Sequence, residues 1–168
     1  FIQDAITPAD TAAAFKRTGL IRRVYTPSQP GPPTTWPTLR EMIQHDTRVV
    51  VLAEHTPGGS AYPWYQDGFA VAQETDYNVR SIGAFKCAPN RGGTAGSLFL
   101  LNHWLAGSKR PIQAANKLNA RNMLLPRAEE CQRDRGRVPN LIAVNFYDRG
   151  ALLDVVDTLN GVGQQSRP

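Results

Sequence analysis

Arg48-Val49-Val50-Val51-Leu52-Ala53-Glu54 decides the fold class. An unbroken apolar run between two charges, rich in β-branched residues and far too short to cross a bilayer, reads as a strand buried on both faces. Strands of that kind belong to parallel sheets whose crossover helices cover them. Working outward, Leu98-Phe99-Leu100-Leu101-Asn102 and Leu141-Ile142-Ala143-Val144-Asn145-Phe146-Tyr147 are of the same kind. Phe1-Ile2-Gln3-Asp4 reads as the tail of another strand, and a shorter one is expected around Phe69 to Glu74.

Helical segments lie between them. Thr7-Pro8-Ala9-Asp10 supplies a capping oxygen, a proline suited to the first turn and an acid near the helix N-terminus. The alanine-rich helix that follows should stop at Gly19. Thr38 and Glu41 have the spacing of a capping box. A single long helix is expected over Pro111 to Arg133, and a closing one over Leu152 to Leu159 with Gly161 behind it. Thr26 to Thr35, with four prolines, and Cys87 to Gly96, rich in glycine, read as loops.

Strand–helix alternation of this sort gives an α/β protein with parallel strands, laid out either as a doubly wound sheet or as part of a β/α barrel. Asp4, Glu54, Asn102 and Asn145 each place a polar group at the C-terminal end of an apolar strand. Ligand sites lie at that end in both layouts. A full barrel takes about 250 residues, so 168 residues supply about five of its eight units. The expected architecture is an incomplete TIM barrel, with residues 1–168 as one partial domain. Phe1, with no initiator Met, suits a processed chain or a fragment.

Charge and composition narrow the function classes. Nineteen basic against 14 acidic residues leave a net charge of +5, which suits a phosphate-bearing or anionic partner. The arginines are scattered, without the dense basic and aromatic stretch of a nucleic-acid binder. Two cysteines without a CxxC or neighbouring histidines exclude a zinc site. Cys87 and Cys131 are either two buried thiols or one disulfide closing a loop of about 40 residues.

Several ordered segments together carry a family resemblance. They are Glu74-Thr75-Asp76-Tyr77, Cys87-Ala88-Pro89-Asn90-Arg91-Gly92, Leu98 to Trp104, Ala115-Asn116-Lys117-Leu118-Asn119, Arg127 to Cys131, and Pro139 to Tyr147. Trp36 to Met42, ahead of the valine-rich strand, fits as well. From about Trp36 to Gly161 the chain resembles the phosphatidylinositol-specific phospholipase C X-domain branch of the PLC-like phosphodiesterases. That resemblance implies a distorted TIM barrel and a phosphodiester hydrolase of lipid metabolism. In the family an acid–base pair of histidines opens the diester, while an arginine or a calcium ion stabilises charge on the phosphoryl oxygens. Both histidines belong to early strands, the first in a His-Asn-Ser-like motif that this sequence lacks. The implied enzyme is therefore divided, and this portion is expected to be inactive alone. The cysteine pair, read with the resemblance, favours an exported protein with one disulfide.

The resemblance and the strand ends together nominate the site. Asn145 and Asn102 are the catalytic-side candidates, and Asp4, Glu54, Glu74, Arg91 and Tyr147 the substrate contacts. Asn145 falls where bacterial inositol lipases place a carboxylate; it can orient an imidazole but not balance its charge. Glu54 and Glu74 read equally well as partners of arginines. His45 suits a helix C-terminus, His55 could reach the barrel mouth, and His103 is expected on the helix-facing side of its strand. Trp64 and Tyr65 are either a membrane-facing rim or core. No metal ligand set is assigned and calcium is left open. The expected partners are a phospholipid or another phosphodiester, with peripheral membrane contact, no nucleic acid, and a monomer at full length. The rivals are a glycerophosphodiester or sphingomyelin phosphodiesterase of the same superfamily and a non-catalytic barrel binding a head group or a protein.

Overall fold

The computed structural model describes residue 2 and residues 5–29, 33 and 35–162. It is a mixed α/β protein with small parallel sheets, and no closed barrel is present among the described residues. The chain forms two compact units: Phe1–Gln73 with Thr94–Ser97, and Glu74–Gly93 with Leu98–Pro168.

In the first unit, helix α1 (Pro8–Arg17) starts as its sequence dictates, the Thr7 hydroxyl accepting from the Asp10 amide at 3.1 Å. The chain leaves α1 through Gly19 in the left-handed region, φ +73°, which glycine adopts without penalty. Helix α2 (Leu39–Gln44) has the full capping box: Thr38 Oγ1 accepts from the Glu41 amide and Glu41 Oε2 accepts from the Thr38 amide. His45 is its C-cap residue. Strand β1 (Val51–Ala53) is buried at every position, as its unbroken apolar run requires.

β1 pairs in parallel with β2 (Tyr65–Asp67), Ala53 opposite Asp67. Ile2 joins the same strand, donating to the Leu52 carbonyl while the Glu54 amide donates to its own carbonyl. Phe1, Gln3 and Asp4 lie outside the described residues. Trp64 and Tyr65 belong to the core and not to a rim. Trp64 stacks on Phe15 and on Tyr65 at 5.2 and 5.6 Å between ring centroids, over Val51, Ala53 and Ala12.

The strand expected around Phe69 to Glu74 is shorter than its apolar character suggests. Asp67 Oδ1 accepts from the Phe69 and Ala70 amides and caps one helical turn, α3 (Gly68–Val71), so β3 begins only at Ala72 and ends at Glu74. β3 runs from one unit into the other, with Glu74 in the second. Its sheet has the order β3-β4-β5.

In the second unit, β4 (Leu98–Asn102) and β5 (Leu141–Ala143) pair in parallel, Leu100 opposite Leu141 and Asn102 opposite Ala143. Phe99, Leu101, Ala128 and the Cys87–Cys131 disulfide form the core, with Ile142 and Leu159 against it.

Two expectations fail here for one reason. The long helix is broken into α4 (Pro111–Leu118) and α5 (Arg121–Arg135), and the last strand stops at Ala143, short of Tyr147. Asn119 sits at the break, its side-chain amide donating to the carbonyls of Asn145 and Phe146 and its own carbonyl accepting from Ala151. Those bonds close a turn in which Phe146 takes φ +54°, so Asn145 and Tyr147 cannot continue a strand. Gly150, at φ +81°, lies so close that a Cβ there would sit 2.5 Å from the Asn119 carbonyl oxygen. Helix α6 (Leu152–Leu159) then packs on α5.

Candidate functional site

The strand ends of the second unit gather around one buried carboxylate. Glu74, at the end of β3, is 1 % exposed. Its backbone is held by the neighbouring loop, donating to the Arg91 carbonyl at 3.1 Å and accepting from the Asn90 amide at 2.9 Å. That pairing brings both loop side chains onto the carboxylate. Arg91 Nε donates to Oε1 at 2.5 Å, Arg91 Nη2 to Oε2 at 3.1 Å, and Asn90 Nδ2 to Oε1 at 3.1 Å. From β4, Asn102 Nδ2 donates to Oε2 at 2.9 Å and to the Thr75 carbonyl at 2.6 Å. The Tyr77 ring lies 4.1 Å beneath the Arg91 guanidinium.

A forked guanidinium on a carboxylate, with two amides completing the lone pairs, is a rigid and satisfied arrangement. It does not fit a calcium ion, which takes six to eight oxygen ligands; the donors already on Glu74 are cationic or amide N–H groups. Nor do Cys87, Glu130 and Asp134 make a metal site, although their ligand atoms lie within 4.8 Å of one another. Cys87 is in the disulfide, and the two carboxylates are exposed.

Of the residues nominated from sequence, the fold therefore brings Glu74, Arg91 and Asn102 together. Asn145 and Tyr147 follow β5 in the same unit: the Asn145 carbonyl accepts from the Asn119 side-chain amide, and Tyr147 is 73 % exposed. Glu54 belongs to the first unit, half-buried just past β1, and His55 follows it exposed. Asp4 lies outside the described residues. Sequence reasoning missed Asn90, whose only signal was its place beside Arg91 in the glycine-rich loop, and Arg127.

Arg127 is a buried cation on α5 that donates to the carbonyls of Asn102 and Lys86, each at 3.3 Å. Its guanidinium lies 4.4 Å from the Phe85 ring, and burial lowers its pKa to about 10. The other face of β4 explains His103. Asn102 turns to Glu74, while His103 turns to α4, where its Nε2 lies 3.0 Å from the Leu118 carbonyl and its ring stacks on Phe85.

Burial pushes the His103 pKa down to about 4; the Leu118 bond opposes the shift and the Arg127 charge adds to it. An unfolded histidine titrates near 6.5, so between these values the unfolded chain binds a proton that the folded chain refuses. Stability is therefore lost as pH falls through that window, on the order of 3 kcal/mol by its lower end. Urea unfolding at pH 7, 5.5 and 4 should show this decline in the wild type. His103→Gln should flatten it, and an equal decline in the variant would place the acid sensitivity elsewhere.

Small parallel sheets set among helices, with polar groups gathered at strand ends, make this a mixed α/β protein. Within that class, the chain belongs to the PI-PLC X family: the PI-PLC X 1 family model matches residues 2–160. It is 25% identical to PI-PLC X domain-containing protein 1 of Arthroderma benhamiae, over 76% of this chain and 45% of that protein. It is 28% identical to a PI-PLC X domain-containing protein of Arabidopsis thaliana, over 92% of this chain and 38% of that protein. The chain thus spans less than half the length of these curated relatives. No solved structure matches it.

Proposed function

We propose that this chain is the later portion of a distorted TIM barrel whose full-length form is a phosphoric diester hydrolase acting on phosphatidylinositol or a related lipid. The observation that carries the reading is the Glu74–Arg91–Asn102 cluster at the strand ends of a PI-PLC X chain. In this reading Arg91 faces the phosphoryl group, Glu74 fixes its guanidinium while Asn102 holds Glu74, and Tyr147 with Asn145 contributes the rim on the β5 side. The acid–base histidines are supplied by other strands of the full-length protein. His103 is unsuited to that work, being 1 % exposed, bonded to Leu118 and low in pKa. The disulfide supports an extracellular protein, and among the described residues no helix is long and apolar enough to cross a membrane. In this reading membrane contact is peripheral.

The test compares the longest parent open reading frame with this chain on phosphatidylinositol vesicles, scoring release of cyclic inositol phosphate. Activity is expected in the parent and not in the chain alone. Activity in the chain alone would overturn the divided-site reading.

Asn145 favours a second reading, a barrel that binds the head group without cleaving it, because an amide there cannot balance an imidazolium. Silence of both proteins in the hydrolysis assay, with retained sedimentation on phosphatidylinositol vesicles, would select it.

A further inference from the structure

The geometry points to a built site for one internal water in the cavity lined by His103 and Asn119, bridging the two side chains and making His103 a positioning residue for the turn that carries Asn145 and Tyr147. The cavity has a volume of about 10 Å³, and Trp104, Pro111, Leu118 and Asn145 are among the residues that line it. His103 and Asn119 are each 1 % exposed. Among the described residues, His103 Nδ1 and Asn119 Oδ1 have no hydrogen-bond partner.

Both orphaned atoms are acceptors. A carbonyl cannot donate, so the 3.0 Å contact between His103 Nε2 and the Leu118 oxygen places the ring proton on Nε2. The neutral ring then has a bare lone pair at Nδ1. Asn119 spends both amide hydrogens on the carbonyls of Asn145 and Phe146, at 2.9 and 3.2 Å, which leaves its Oδ1 as the oxygen.

Two acceptors cannot satisfy each other. They call for a ligand with two donor hydrogens, and a space of this size holds about one water. An ammonium ion has the donors, but no acidic side chain lines the cavity to balance its charge. Through Asn119 the water reaches the turn itself, since Asn119 holds the carbonyls of Asn145 and Phe146 and the amide of Ala151. The site is independent of whether that turn ever meets a phosphodiester.

The experiment is NMR on the isotope-labelled chain. Long-range nitrogen–proton spectra should show the Nε2–H tautomer of His103, with Nδ1 shifted as a hydrogen-bonded acceptor. A cross-peak should join the ring Hε1 to a water of long residence. His103→Gln keeps a donor for Leu118 but removes the Nδ1 acceptor; it should speed exchange of the Asn119 side-chain amide about fivefold, the loss of one net hydrogen bond. An Nδ1–H tautomer, or an unshifted lone pair with no water cross-peak, would overturn the inference. The wild-type spectra decide the matter even where the variant does not fold.

Discussion

Removing the Arg91 guanidinium with Arg91→Ala is expected to cost about 3–5 kcal/mol of unfolding free energy, the range for breaking one side of a buried ion pair. The carboxylate is the deep partner: Glu74 is 1 % exposed, while the Arg91 side chain is 32 % exposed. Taking away the arginine leaves a buried negative charge with only the amides of Asn90 and Asn102 to serve it. Glu74→Gln removes the charge instead and sets a new amide against donors, so it should be costly for a different reason. The double variant should cost less than the sum of the singles, because each change relieves what the other leaves stranded. Urea denaturation of all four proteins measures this. A loss below about 1 kcal/mol in Arg91→Ala would put the pair in the class of solvated surface bridges. The cluster would then be too loose to present a fixed guanidinium to a phosphoryl group.

Opening the disulfide should be comparably severe. Cys87 and Cys131 are 44 residues apart, and releasing a loop of that length returns about 4 kcal/mol of chain entropy to the unfolded state. Cys87→Ala with Cys131→Ala is the cleaner form of the test, since Cys131 is fully buried against Phe99, Leu101 and Ala128 and a serine there would bury a hydroxyl. The midpoint of denaturation in the double variant should fall sharply and become insensitive to reductant. A wild type whose midpoint does not change with reductant would show that the link contributes little in solution.

How far the chain could be read in advance depended on how local each signal was. Thr7, Gly19 and the Thr38–Glu41 box act on the amides nearest them, and each was legible. The apolar runs at Val51 and Leu98 announced buried strands because nothing nearby competes with them. The errors came from side chains that redirect distant backbone. Asn119 stops a helix and shortens a strand through carbonyls 26 and 27 residues away. Asp67 turns an apolar stretch into a helical turn with a single oxygen. At the site, the polar residue at the end of β4 was visible from its position alone. The joining of Arg91 to Glu74 needed the pairing of their backbones, which no spacing rule reports.

Gly150 carries an evolutionary consequence. Any side chain there would collide with the Asn119 backbone, and its φ of +81° is foreign to other residues. Lineages that keep the Asn119 turn are therefore bound to keep this glycine. A descendant that loses one is released from the other, so the two positions should drift together across the family even though 30 residues of chain lie between them.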